Sequence, residues 1–159
     1  MAHELDGYFR ASAGIAVIND AGRLLAMRRK AMAEPAWQMP QGGIRFDERP
    51  VDAAWREAEE ETGLTRRDLT LLTESPQWLV YELPQAFRNG KVGWGQAQRW
   101  FLFRMAATAT VSVDGVEFDA FEWLTPAELL ARTVDFRVPV YERVLAEFRP
   151  WLQPGGGPA

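Results

Sequence analysis

Hydrophobic and polar positions along the chain change period several times, and each change marks an element. Residues 11–19, ASAGIAVIN, are apolar and β-branched and run into the turn residues Asn19-Asp20-Ala21-Gly22. RLLAMRR (23–29) then reads as the returning strand of a hairpin. WQMP (37–40) is too short for a helix, and Gly42-Gly43 breaks the pattern and lets a neighbour approach the backbone closely. From Pro50 to Thr62 the spacing predicts a helix, with Pro in the first turn, Val51, Ala54 and Ala58 at helical intervals, and Gly63 as the stop. Strands resume at LTLLT (69–73) and WLVYEL (78–83), and after a Gly-rich loop (88–95) at QRWFLFRM (98–105). An extended segment is expected from Val116 to Trp123. Thr125-Pro126-Ala127-Glu128 has the form of a capping box and starts a helix to about Thr133. Pro139 opens a last helix with Val140, Val144, Leu145 and Phe148 on one stripe. The expected architecture is α/β, a mixed central sheet with helices packed on it. One domain spans residues 1–150, and 151–159 (WLQPGGGPA) forms a flexible tail.

Composition narrows the chemistry. A length of 159 residues suits one domain with a real core. No cysteine means no disulfide, no thiolate nucleophile and no zinc-thiolate site. The single histidine, His3, lies near the chain start, which argues against a Ser-His-Asp triad. Acid-base work must fall to carboxylates, Lys, Tyr or a metal. No apolar run approaches the ~18 residues of a membrane span, and MAHELDGYFR lacks a signal-peptide pattern. A cytoplasmic protein with no membrane partner is expected. The net charge is −4, and its placement matters more than its size. Residues 44–61 hold seven acids and three bases, so this stretch carries the whole imbalance.

Within it, Glu57, Glu60 and Glu61 share one helix face at about 100° per residue, while Glu59 points away. Arg56 stands four residues before Glu60 and can reach it. A solvated charged face is the plain reading of an acidic run. Three features weigh against it here. The acids crowd toward the helix C-terminus, where the macrodipole disfavours negative charge. A single nearby base compensates them, and the helix follows a Gly-Gly loop able to admit a ligand. Such a carboxylate cluster suits a hard divalent cation, and Mg²⁺ joins carboxylates to substrate phosphates.

Gly42 to Leu64, GGIRFDERPVDAAWREAEEETGL, resembles the Nudix box, G-x5-E-x7-R-E-U-x-E-E-x-G-U, where U is a bulky apolar residue. Gly42, Glu48, Arg56, Glu57, Glu60, Glu61, Gly63 and Leu64 fall in place; Ala58, small at the first U, is a mild departure. The resemblance implies a Nudix-type α/β/α sandwich, with the catalytic loop and helix after a β-hairpin. It also implies hydrolysis of a phosphoanhydride with two or more Mg²⁺ or Mn²⁺ ions. Glu57, Glu60, Glu61 and Gly42 would be metal ligands and Arg56 would orient the acids, with Glu48 in a supporting place. Attack on a polyanion needs charge neutralisation and an activated water, which bound divalent ions supply. The general base is then Glu57, Glu61 or an acid outside the box.

Flanking segments resemble the bacterial RNA pyrophosphohydrolase group, which shades into the dinucleoside polyphosphate hydrolases. They are Arg10, WQMPQGG (37–43), WLVYELP (78–84), GQAQRWF (95–101) and Glu117-Phe118-Asp119. The likeness implies Glu117 as a further metal ligand. Arg10, Arg29, Gln41, Tyr81, Phe136 and Arg137 become substrate contacts, and the partner is a nucleotide or an RNA 5′ end rather than a DNA duplex. Each flanking residue also has a plainer reading. Trp37, Trp78 and Trp100 on strands read as core, and Tyr81 alternates with Leu79 and Leu83, which packs it inside. Ala97 stands where the group often has Lys, Arg137 replaces a Lys, and the loop from Lys30 to Ala36 is longer. The complete box argues against a silent nucleotide-sensing domain, which needs no full ligand set.

Overall fold

The computed structural model describes residues 8–158, so His3 lies outside the described residues. Strand β1 (Phe9–Ile18) is buried from Ser12 onward because both of its faces are covered. Ala13, Ile15 and Val17 join the cluster under helix α1 (Pro50–Thr62), while Ala16 and Ile18 join the cluster on the opposite face. That opposite cluster takes in Val140, Tyr141, Val144 and Phe148 of α3 (Val138–Phe148) and Leu129 of α2 (Pro126–Ala131). Helices therefore sandwich a mixed sheet, as the patterning predicts.

β1 runs parallel to β7 (Gly95–Met105) in unbroken register from Phe9↔Gly95 to Ile18↔Arg104. Its other edge is shared. β2 (Leu24–Arg29) pairs it at Ile18↔Leu24, and β4 (Gln41–Gly43) pairs it from Ser12 to Gly14. β2 carries the sheet outward to β3 (Trp37–Gln38) and β8 (Phe118–Leu124). β5 (Leu69–Glu74) and β6 (Leu79–Glu82) both pair with β7. The β1–β2 turn is closed by Asn19, whose Oδ1 accepts the N–H groups of Ala21 and Arg23 at 3.0 Å each.

Helix α1 has the bounds its pattern predicts. Its Ala53, Ala54 and Ala58 are fully buried on the sheet, and Trp55 meets Phe103 edge-on at 4.7 Å. Gly63 ends it in the left-handed region (φ 73°), with its N–H donating to Glu59 O. Thr125 caps α2 as expected, accepting the Glu128 N–H at 3.2 Å. α2 stops at Ala131, two residues short of expectation.

One further expectation differs. Trp37 and Trp100 are core, but Trp78, just before β6, is 43% exposed, with the Arg99 guanidinium 5.6 Å from its ring. In the described part of the tail, Gly156 O accepts from Arg104 at 2.8 Å, and Gln153 abuts Gly22 of the β1–β2 turn. Among the described residues no helix is long and apolar enough to cross a membrane.

Candidate active site

The acidic part of the site is assembled from the β4 loop, the C-terminal half of α1 and the loop before β8, with Arg10 from β1 and Arg29 from β2 beside it. Arg56 organises it. Its Nε and Nη2 grip both oxygens of Glu48 at 2.8 Å each, a two-pronged pair that fixes the plane of the guanidinium. From that position Nη1 donates to Glu57 Oε1 at 2.7 Å and to Glu60 Oε2 at 3.3 Å, and Nη2 donates to Gly43 O at 2.8 Å. One cation thus ties the box loop to the helix acids. The Arg56 guanidinium holds the Glu48 carboxyl down at about 2.

Glu57 and Glu61 are buried, whereas Glu60 is half-exposed. Burial pushes Glu57 upward, opposed by Arg56. Glu61 accepts the Gln41 N–H at 3.1 Å, and among the described residues no guanidinium pairs with it. Burial, then the nearby charges of Glu57 and Glu117, push its carboxyl up to about 9. Glu117 is held from the other side. Arg29 approaches it at 3.4 Å, and Asp114 Oδ1 accepts the N–H groups of Val116, Glu117 and Phe118, folding the loop around it.

These groups are all hard oxygen donors, and Gly42 leaves room beside them, because a Cβ there would overlap the Glu57 carboxyl. Among the described residues no three acidic or histidine side chains converge into a finished cage. The chemistry of the donors, oxygen only, is nevertheless the kind Mg²⁺ takes, since that ion uses few protein carboxylates and completes its shell with water and substrate phosphate. Glu61 is buried, feels the charges of Glu57 and Glu117, and makes no ion pair among the described residues, a donor that a divalent ion would satisfy.

The acids open onto a cavity of about 570 Å³. Arg10, Arg29, Gln41, Gly42, Glu57, Glu60, Glu61, Glu117, Phe136 and Arg137 all line it. A model of the NUDIX domain matches residues 8–144. The chain belongs to the Nudix family.

Curated relatives of this Nudix chain include RNA pyrophosphohydrolases. That of Rhodospirillum rubrum is 43% identical over 152 residues, spanning 92% of this chain and 90% of its own. That of Cereibacter sphaeroides is 40% identical over 150 residues, spanning 91% and 93%. Among solved structures, an E. coli dihydroneopterin triphosphate pyrophosphohydrolase superposes with a TM-score of 0.72 at 20% identity, covering 87% of this chain and 98% of its own. A C. elegans Ap4A hydrolase does so at 0.67 and 18%, covering 88% and 98%. At those identities the two structures speak for the fold alone. The chain is a Nudix hydrolase acting on pyrophosphate bonds.

Two expected site residues of this Nudix domain lie off the cavity wall. Arg56 stands behind it, touching the acids from outside, as an orienting role requires. Tyr81 is in the core beneath Phe136, its ring nearly parallel at 6.0 Å and its hydroxyl buried without a partner among the described residues. That placement follows the alternation with Leu79 and Leu83.

Other residues at or behind the wall are not singled out as contacts by the sequence, although Gln38, Gln96 and Gln98 lie in segments that carry the resemblance. Gln38 lines the cavity with a buried Oε1 that has no partner among the described residues. Gln96 and Gln98 form an amide chain with Gln41: Gln98 Nε2 donates to Gln41 Oε1 at 2.9 Å and to Gln96 Oε1 at 3.1 Å. Two glutamines two apart on one strand face are the available signal. Phe87, Asn89 and Lys91 come from the 84–94 loop, which has no periodicity to betray it.

Proposed function

We propose that this Nudix hydrolase removes pyrophosphate from the 5′-triphosphate end of RNA, leaving a 5′-monophosphate. The observation that carries the reading is the composition of one cavity wall by wall. Carboxylates come from α1 and the 114–117 loop, guanidinium groups from Arg10, Arg29 and Arg137, and an aromatic ring from Phe136. A phosphate chain needs the first two sets, and a base attached to it needs the third. The relatives named RNA pyrophosphohydrolase over nine-tenths of the chain direct the choice to RNA.

Glu57, Glu60, Glu61, Glu117 and the Gly42 carbonyl would hold Mg²⁺ or Mn²⁺, which when bound offset phosphate charge and lower the pKa of water. Arg56, locked on Glu48, keeps Glu57 and Glu60 turned toward the cavity. Arg10, Arg29 and Arg137 bind phosphate oxygens through their planar forks. Glu57 or Glu61 takes the proton of the attacking water, and of the two only Glu61 is free of a guanidinium partner. Tyr81 supports Phe136 from below. The bond broken joins the α- and β-phosphates; the water oxygen stays with one fragment and the anhydride oxygen with the other.

The test is a competition. Triphosphorylated RNA and diadenosine tetraphosphate are offered together to one preparation with saturating Mg²⁺. RNA should turn over with the higher kcat/KM. Inert RNA beside a consumed dinucleotide would replace this reading with dinucleoside polyphosphate hydrolysis, which the same cavity could serve.

A further inference from the structure

Phe136, the ring expected to receive a base, is not the most available aromatic surface in the cavity. One neighbour is Tyr81, nearly parallel to it at 6.0 Å, and another is Phe87, tilted by 46° at 5.6 Å. Phe136 is half-buried between them, whereas Phe87 is 49% exposed and lines the same cavity. A large apolar ring presented to water at a cavity wall gains nothing for the fold at its exposed face.

The loop that presents Phe87 is built rather than slack. The Phe87 N–H donates to Pro84 O at 2.8 Å, and Arg88 Nε donates to Leu83 O at 2.8 Å. The Arg88 guanidinium also lies 4.9 Å from the Trp94 ring. At the far end, Leu83 N–H donates to Trp94 O at 2.7 Å and Trp94 N–H to Tyr8 O at 2.8 Å, closing the loop at its base. Within it, Asn89 Oδ1 accepts the N–H groups of Lys91 and Val92 at 2.8 and 3.1 Å. Lys91 lines the cavity too, and among the described residues it makes no ion pair. A pinned loop thus sets an aromatic face and a cation on the wall shared with Phe136 and Arg137.

We propose that Phe87 is a specificity-determining residue that stacks a nucleobase of the substrate, with Lys91 pairing a phosphate beside that base. The assignment rests on the nucleotide reading of the site above. A stacked base is sequence-tolerant, since every base has a π-face, and its loss is felt in binding.

The experiment measures kcat and KM for a short 5′-triphosphorylated RNA with wild type, Phe87→Ala, Phe87→Leu and Phe87→Trp, and melting temperature for each. Phe87→Ala and Phe87→Leu should raise KM by about 5- to 100-fold with kcat within about two-fold, while Phe87→Trp stays close to wild type. Leu keeps an apolar side chain for the loop but no π-face, so it separates stacking from packing. With an RNA whose first two positions are abasic, all four proteins should share one KM. Lys91→Met should raise KM on both RNAs. An unchanged KM in Phe87→Ala overturns the assignment, as does an effect confined to kcat or one that persists on the abasic RNA. Failure of the wild type to hydrolyse any triphosphorylated RNA would instead remove the functional reading on which it rests.

Discussion

At the scale of single residues, the site is a contrast between a carboxyl that an arginine grips and one that it does not reach. Glu48, gripped by Arg56, is held at about 2, so its stabilising pair is complete above the ordinary carboxylate range and is lost as pH falls toward 2. Glu61 behaves oppositely. Burial and two neighbouring acids raise it to about 9, so between pH ~4.3 and about 9 the folded chain holds a proton the unfolded chain has released. In that window metal-free stability falls as pH rises. A divalent ion held by Glu61, as proposed, would take the place of that proton, so its binding would become easier as pH rises. The rise in melting temperature on adding Mg²⁺ should accordingly be larger at pH 8.5 than at pH 6. Glu61→Gln should lose most of that rise, keep its metal-free melting temperature at pH 8.5, and lose turnover by at least about 100-fold. An equal Mg²⁺-induced rise at both pH values, or normal turnover in Glu61→Gln, would remove Glu61 from the site.

At the scale of elements, α1 does two jobs that substitution can separate. Its stop at Gly63 is structural, and its approach to the β4 loop is functional. A Cβ at Gly42 would overlap the Glu57 carboxyl, the far end of a flexible side chain, which can swing aside at small cost to the fold. Gly42→Ala should therefore lower kcat by more than about ten-fold with a shift of only a few degrees in melting temperature, since a misplaced acid costs rate steeply. Gly63 holds φ 73°, and a Cβ there would meet Ser112 Oγ, so Gly63→Ala should cost about 1 kcal/mol or more of stability with the acids still in place. Equal effects of both variants on melting temperature and on kcat would refute the separation. The same helix shows what a sequence makes legible. Pro50, the apolar spacing and Gly63 are local signals, so the helix bounds and the acid face can be read from the residues alone. The start of β7 is less legible from pattern, because Gln96 and Gln98 are polar where a buried strand is usually apolar; Gln96 lines the cavity, and Gln98 is buried behind it, bonded to Gln41, Gln96 and the Trp100 indole. Phe87 is hidden for a different reason: a loop has no period, and only the pinning by Arg88 and Trp94 puts its ring on the wall. Tyr81 is ambiguous in the sequence, and burial decides it.

At the scale of the whole molecule, the charge carried by residues 44–61 has a definite meaning. The −4 is concentrated on the box, and the remaining chain is balanced, so it supplies no net positive charge for following a long RNA. That balance favours recognition of the end. The cavity of about 570 Å³ is of the size that holds a small ligand rather than a helix or a long strand. The cations on its wall are Arg10, Arg29, Lys91 and Arg137, with Arg29 already shared with Glu117. If each meets one phosphate, the slope of log affinity against log salt should not exceed about 3 in magnitude, at roughly 0.7 per phosphate for a single strand. KM for triphosphorylated RNAs of two to twenty nucleotides should be flat beyond about three, measured between 50 and 200 mM salt with Mg²⁺ held constant. A KM that keeps falling with length, or a steeper salt slope, would require a second, extended RNA surface outside the cavity. The balanced charge outside residues 44–61 argues against such a surface, because a strand bound there would have to be held without the counterion release that drives nucleic-acid affinity.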